Sequence, residues 1–213
     1  MEFAWKTFPN YGYIRAKLSA EELKPITDEI DRIQSNFDDA KNVTAAPALY
    51  GQIEREYELS NGVAIETALM PYVLAYNQQF NYFDTFGHLK HQSPICLGNA
   101  WVNFQKKHEF NPPHRHSGVL SFVLWVKVPY DLEEEKRVSP GKHSNSPVPG
   151  AFSFCYSNSI GEIANEIIEV DKSAEGSIIV FPSKFIHEAF SFYTSDDYRI
   201  SVSGNFIIDN SKH

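Results

Sequence analysis

The chain has 213 residues, enough for one domain with a sizeable core, and 42% hydrophobic residues with 16 Phe and 11 Tyr mark a packed globular protein rather than a disordered or fibrous one. Its 27 acidic residues outnumber 19 basic ones, a formal charge of −8 with no Lys/Arg block, so its field repels phosphate backbones and argues against a nucleic-acid partner. Met1 to Asn10 lacks a basic stretch followed by an apolar run, and nowhere do about 18 consecutive apolar residues occur, so the expectation is a soluble cytoplasmic protein without a membrane partner.

In chain order, Tyr11 to Leu18 reads as a short strand. Ser19 and Glu22 form a capping box, and Leu23, Ile26, Ile30 and Ile33 then share one face of a helix ending near Ser35, with Pro25 in its early turns. Asp38 to Asn61 shows no clear period, whereas Val63 to Phe83 combines apolar residues with good helix formers and predicts a second helix.

From Pro94 the character turns to β. Runs rich in Val, Ile, Phe and Trp predict about seven strands, at Ile95 to Gln105, Val119 to Val128, Ala151 to Tyr156, Glu166 to Val170, Ser177 to Phe181, Ile186 to Phe192 and Tyr198 to Ile208. Asp131 to Gly150, rich in charge, Pro, Gly and Ser, reads as an excursion from the core. The expected fold is α+β, an antiparallel sandwich or barrel braced by N-terminal helices. One domain spans 1–213, with 1–93 as mainly helical support and 94–213 as the β core carrying the insertion 131–150. Cys96 and Cys155 lie in apolar runs and are expected to be small buried hydrophobes in a reducing compartment.

Chemistry concentrates on histidine. In Asn111-Pro112-Pro113-His114-Arg115-His116, an extended chain sends both imidazoles to one side and Arg115 to the other. A third histidine, His187, follows a strand and a Pro182-Ser183 turn. In a rolled sheet the three can converge and leave open positions on a metal ion. His88 and His91 have helical spacing but no third ligand nearby, and His108, among Lys106, Lys107 and Glu109, reads as solvated. Thr194 to Asp197 resembles a hairpin turn. In the strand that follows, Arg199, Ser201, Ser203 and Asn205 alternate with Ile200, Val202, Gly204 and Phe206, so Arg199 heads a polar row. Buried, it needs a partner. That partner is either an acidic side chain or a ligand carboxylate gripped by the guanidinium fork with help from Ser201. Asn103 shares a face with Trp101 and Gln105, where it can hydrogen-bond a co-substrate or substrate.

His-x-His, a distal His preceded by Phe181-Pro182-Ser183, and Arg-x-Ser twelve residues after that His together resemble the 2-oxoglutarate and iron(II) dependent oxygenases. More closely, the pattern looks like the prolyl-4-hydroxylase-like oxygenases of marine bacteria and their phages. This likeness is carried by Trp101-Val102-Asn103, Pro113 to His116, Ser121, Val128-Pro129, Gly176, Phe181 to Ser183, His187, Arg199 to Ser201 and Asn205, about half the chain. The resemblance implies a double-stranded β-helix, or jelly roll, with iron(II) at its open end held by His114, His116 and His187. It also implies 2-oxoglutarate held by Arg199, and O2-dependent hydroxylation that releases succinate and CO2, with ascorbate as a supporting reductant. A phage origin would place the protein in the host-cell cytoplasm. The usual pattern has Asp or Glu where this chain has His116. Either His116 completes a three-histidine site, which is the favoured reading, or the third position falls to water, Glu109 or Asp131. The expected substrate is peptidyl, prolyl-like, or a small molecule. The alternatives are a cupin-type metalloenzyme without 2-oxoglutarate, for which the usual glutamate after the first pair is missing, and a non-catalytic β-sandwich without metal.

Overall fold

Among the described residues ten strands form two antiparallel sheets, and the crossings between the sheets bring distant parts of the sequence to one end of the molecule. The structure, a computed structural model, describes residues 3–4, 10–86 and 94–209; His88 and His91 lie outside the described residues. Strands β1 (Ile14–Lys17), β2 (Glu56–Glu58), β3 (Ile95–Gln105), β5 (Leu120–Lys127), β8 (Ser177–Pro182) and β10 (Arg199–Ile208) form the major sheet in the order β1-β8-β5-β10-β3-β2. Strands β4 (Asn111–His114), β6 (Phe152–Ser157), β7 (Ile163–Ile168) and β9 (Ile186–Ala189) form the minor sheet in the order β4-β9-β6-β7. From β3 onward the chain crosses between the sheets at every connection except that joining β6 to β7, and the result is the expected α+β double-stranded β-helix braced by N-terminal helices.

The helices follow from their sequence. In α1 (Ala20–Ser35), Ser19 accepts from the Glu22 backbone N–H while the Glu22 side chain accepts from the Ser19 N–H, both halves of the capping box. Ile26, Ile30 and Ile33 are buried, and Pro25 sits inside the helix. In α2 (Gly62–Phe80), Ile65, Leu69, Val73 and Tyr76 fall on one stripe. It ends three residues before the expected Phe83, because Asn81 adopts φ 50° and its N–H closes on the Asn77 carbonyl. Glu29 ties the two helices together: its carboxylate accepts from the N–H and hydroxyl of Ser60 and the N–H of Asn61.

The major sheet is covered on both faces. Val102, Phe104, Leu120, Leu124, Val180 and Val202 pack against the helices, whereas Trp125, Ile179 and Phe181 face Phe152 and Phe154 of the minor sheet. Burial on both sides explains why β5 and β8 read as near-continuous apolar runs rather than alternating ones.

Three expectations change. Thr194 to Asp197 does not turn a hairpin: β9 pairs with β4 and β6, whereas β10 pairs with β3 and β5, so the chain between them crosses from one sheet to the other. The insertion 131–150 carries a helix, α3 (Leu132–Val138), capped by Asp131, and its fully buried Glu135 accepts from the N–H groups of Tyr193 and Thr194 and the Thr194 hydroxyl. Cys96 and Cys155 are half-buried rather than core residues. Strands β2 and β4 were not expected at all.

Gly204 sits at a close approach within the major sheet. A Cβ there would lie 2.5 Å from the Asn99 carbonyl oxygen and 2.6 Å from the Phe122 ring. Gly204→Ala is expected to destabilise the protein by about 1–3 kcal/mol through overpacking, read as a lower urea midpoint at unchanged m-value.

Candidate metal centre

The site starts from a register. In the minor sheet His114 of β4 lies directly opposite His187 of β9, so their side chains emerge on the same face with ring centroids 4.3 Å apart. His116, two residues on, is brought in by its backbone N–H, which donates to the Ser183 carbonyl at 2.8 Å. Its ring then stands 5.0 Å from each of the other two. One ligand nitrogen from each of the three lies within 4.8 Å of the others, and theirs is the cluster able to hold a metal ion among the described residues. Arg115 points outward and is exposed. Glu109 and Asp131 are not brought in. Glu109 accepts from the backbone N–H groups of Glu54 and Lys106, and Asp131 caps α3. His108 is exposed, at φ 71°.

The Pro182-Ser183 turn that receives His116 is itself fixed. Ser121 bridges Ser183 (2.8 Å) and Asn205 (2.7 Å), and the Asn205 amide reaches Asn99 (3.0 Å). Four polar residues on four segments thus form a chain beside the metal cluster, buried at Ser183, Ser121 and Asn205 and reaching the surface at Asn99, with three of them on β3, β5 and β10.

The imidazoles are in the form a metal needs. His114 Nδ1 lies 2.7 Å from the Pro112 carbonyl and His187 Nδ1 2.9 Å from the Phe185 carbonyl. A carbonyl only accepts, so each Nδ1 carries the proton and each Nε2 offers its lone pair. Burial pushes the pKa of His187 well below its ordinary value, assisted by the other two imidazoles, with Phe152 stacked at 5.6 Å and Phe181 edge-on at 4.9 Å. Burial, with the neighbouring His114, pushes His116 down to about 4. His114 is lowered by burial, which outweighs its bond to Pro112. Trp101 stands 5.5 Å from the His116 ring, and Tyr50 stacks on His114 at 5.8 Å.

The three histidines open on a cavity whose far wall is the inner face of the major sheet, including Asn103, Gln105, Trp125, Arg199 and Ser201. Arg199 is 3% exposed, and among the described residues no carboxylate pairs with it. Its Nε (3.2 Å) and Nη2 both donate to Gln105 Oε1, Nη2 also to the Phe190 carbonyl (3.1 Å), and Nη1 to the Tyr130 hydroxyl (3.1 Å) and the Gly150 carbonyl. All five N–H groups thus meet neutral acceptors, and one oxygen of Gln105 occupies the fork where a carboxylate oxygen would sit. A buried cation without a counterion, in the same cavity as three neutral imidazoles, fits a dication and an anionic chelator. Asn103 donates to Ser201 at 3.3 Å, while its Oδ1 is buried without a partner. Gln105 and Tyr130, the residues that hold Arg199, were not anticipated. Gln105 was legible as a polar residue on the Trp101-Asn103 face, whereas nothing marks Tyr130 at the start of an insertion.

Residues 99–205 match the sequence family described as "Putative 2OG-Fe(II) oxygenase". No curated protein sequence matches the chain. Among solved structures, a prolyl-4-hydroxylase from Pseudomonas putida aligns at TM-score 0.54 and 16% identity, covering 94% of each chain. The collagen prolyl hydroxylase of Paramecium Bursaria Chlorella virus-1, in complex with 2-oxoglutarate, aligns at 0.50 and 10%, covering 91% of this chain and 94% of that one. AviO1 from Streptomyces viridochromogenes aligns at 0.52 and 11%, covering 94% and 91%. At these identities the structures speak for the fold. Among the described residues, no helix is long and apolar enough to cross a membrane.

The depressed histidines give the metal-free protein a pH signature. A group whose folded pKa is lowered contributes stability above its unfolded pKa and loses it as pH falls towards the folded one. For His116 the window runs from about 6.5 down to about 4. Metal-free wild type is expected to lose more stability across that window than His116→Gln, measured by urea denaturation at each pH; equal losses would contradict the burial of a neutral His116.

Proposed function

Because the chain belongs to the family of 2-oxoglutarate and iron(II) oxygenases, we propose that it is a hydroxylase that binds iron through His114, His116 and His187 and the far carboxylate of 2-oxoglutarate through Arg199. The observation that carries this assignment is the coexistence in one cavity of three neutral, convergent imidazoles and a buried arginine that has no carboxylate partner among the described residues. Iron(II) with 2-oxoglutarate and O2 supplies the oxidising chemistry, in which the oxo acid is decarboxylated to succinate and CO2 and a substrate C–H bond is hydroxylated.

The chain's own residues do the rest. The Pro112 and Phe185 carbonyls hold the Nδ1 protons of His114 and His187 and aim both Nε2 lone pairs at one point. Phe152 and Phe181 exclude water from His187. An all-histidine set would leave the full charge of a dication uncompensated, where the commoner carboxylate would cancel part of it. A dianionic oxo acid held in the same cavity, with a carboxylate at Arg199, would make up the difference. For its carboxylate to enter the Arg199 fork, Gln105 must yield the Nε and Nη2 donors, while Tyr130 and the Gly150 carbonyl keep the guanidinium in place through Nη1. Ser201 and Asn103, adjacent on the same face, provide polar contacts to the co-substrate.

The fold likeness to prolyl hydroxylases of P. putida and of a virus supports a prolyl-4-hydroxylase-like type of the kind carried by marine bacteria and phages. On this reading the protein works as one domain on a peptidyl, prolyl-like, or small-molecule substrate. A cupin-type enzyme without 2-oxoglutarate leaves the charge of Arg199 unexplained.

Metal content and calorimetric titration test the assignments. His114→Ala and His187→Ala are each expected to weaken iron(II) binding by more than the roughly 10- to 100-fold that loss of an outer hydrogen-bonding partner costs. Arg199→Ala is expected to keep the metal and weaken 2-oxoglutarate by on the order of a hundredfold, about 2–3 kcal/mol. A metal-loaded wild type indifferent to 2-oxoglutarate, forming no succinate, would sink the proposal.

A further inference from the structure

Glu56 extends a row of side chains across the major sheet. The register sets Glu56 opposite Asn103, Asn103 opposite Ser201, and Ser201 opposite Trp125. Directly opposed residues of antiparallel strands face the same way, and Asn103, Ser201 and Trp125 all line the metal cavity. Glu56 therefore continues the cavity wall beneath the segment 50–55, where Tyr50 stacks on His114 and Ile53 lines the cavity.

This corner is rich in acceptors and poor in donors. Glu56 is 1% exposed and Asn103 3%. Among the described residues four buried side-chain polar atoms have no partner, and three of them are both carboxylate oxygens of Glu56 and Oδ1 of Asn103. At Gly51 the wall is pared to backbone: a Cβ there would lie 2.6 Å from Glu56 Oε1 and 2.7 Å from Oδ1 of Asn111, another cavity-lining residue. The basic residues nearby in sequence are engaged elsewhere, Arg55 over the Phe37 ring, Lys106 over Tyr198 and Lys107 with Asp196. Burial, and then the charge of Glu109, push the Glu56 pKa up to about 7, as befits an acid in a corner that provides neither a donor nor a cation.

Buried acceptors are stabilised by donors, and a buried carboxylate most of all by a positively charged one. We propose that Glu56, Asn103 and Asn111 form a substrate subsite beside the metal centre that takes a cationic nitrogen group, an alkylammonium or guanidinium, of the molecule to be hydroxylated. The inference rests on the oxygenase reading for the word substrate, but the cation site stands on its own geometry. Several N–H donors on one positive head satisfy oxygens that a carboxylate would leave unpaired, and add the charge attraction to Glu56 that a neutral donor lacks, while the anionic co-substrate is directed to Arg199 on the neighbouring row.

Calorimetry on the zinc-loaded protein, with and without 2-oxoglutarate, tests this using agmatine and butylamine as cationic probes and butyrate as the anionic control. The cations are expected to bind and butyrate not to. Glu56→Gln, nearly isosteric, should weaken the cations roughly tenfold or more at unchanged 2-oxoglutarate affinity. Gly51→Ala, whose new methyl intrudes between Glu56 and Asn111, should do the same without touching either side chain's chemistry. If neither probe binds wild-type protein that still binds 2-oxoglutarate, or if both variants bind them as well as wild type, the subsite is refuted. Glu56-dependent binding of agmatine by a protein that ignores 2-oxoglutarate would keep the subsite and overturn the oxygenase assignment.

Discussion

The pairing of His114 with His187 across β4 and β9 is the constraint on which the site depends. It is a backbone fact before it is a chemical one: a slip of one residue would turn one imidazole to the opposite face and dissolve the cluster. The surrounding structure holds that register from both sides. On one, His187 is also opposite Phe154 of β6, in the interior of the minor sheet. On the other, the Ser183 carbonyl draws in His116, and the chain Ser183-Ser121-Asn205-Asn99 anchors that turn to the major sheet. The two sheets therefore cooperate in setting three nitrogens within 4.8 Å.

Charge is distributed across the same cavity wall with a clear polarity. Arg199 and Gln105 form one row of the major sheet, and Ser201, Asn103 and Glu56 the next. One row holds a buried cation with neutral acceptors, the next a buried acid to which no group among the described residues donates. A single strand period separates a place suited to an anion from one suited to a cation, and Asn103, able to donate and accept, stands between them. This arrangement gives two ligands of opposite charge separate places on one cavity wall.

Much of this could be read in the sequence because it depends on short-range pattern. The Ser19–Glu22 capping box, the Ile26, Ile30, Ile33 stripe and the bounds of Ile95 to Gln105 follow local rules, and the alternation after Arg199 named the polar face of β10 correctly. What escaped depends on partners distant in sequence or on main-chain groups that carry no side-chain signal. Glu135 is held by backbone N–H groups of residues 193 and 194, so its charge-rich neighbourhood looked like plain solvated loop. The turn-like Thr194 to Asp197 has hairpin chemistry, yet sheet membership is decided by what lies on either side of β9 and β10. Three residues of β2 are too few to show a period, and with them Glu56 stayed hidden.

Strand β4 has a further consequence. Pro112 and Pro113 remove two backbone donors from it, and only Asn111 and His114 keep paired positions with β9, at the outer edge of the minor sheet. Such an edge offers little to a neighbouring chain seeking a strand to extend, which protects the open end of the barrel from self-association. It also means that main-chain bonding alone holds β4 weakly. An ion shared by His114, His116 and His187 would act as a clasp across that seam, so its departure would be felt first as fraying at the mouth, while the buried sheet beneath kept its shape.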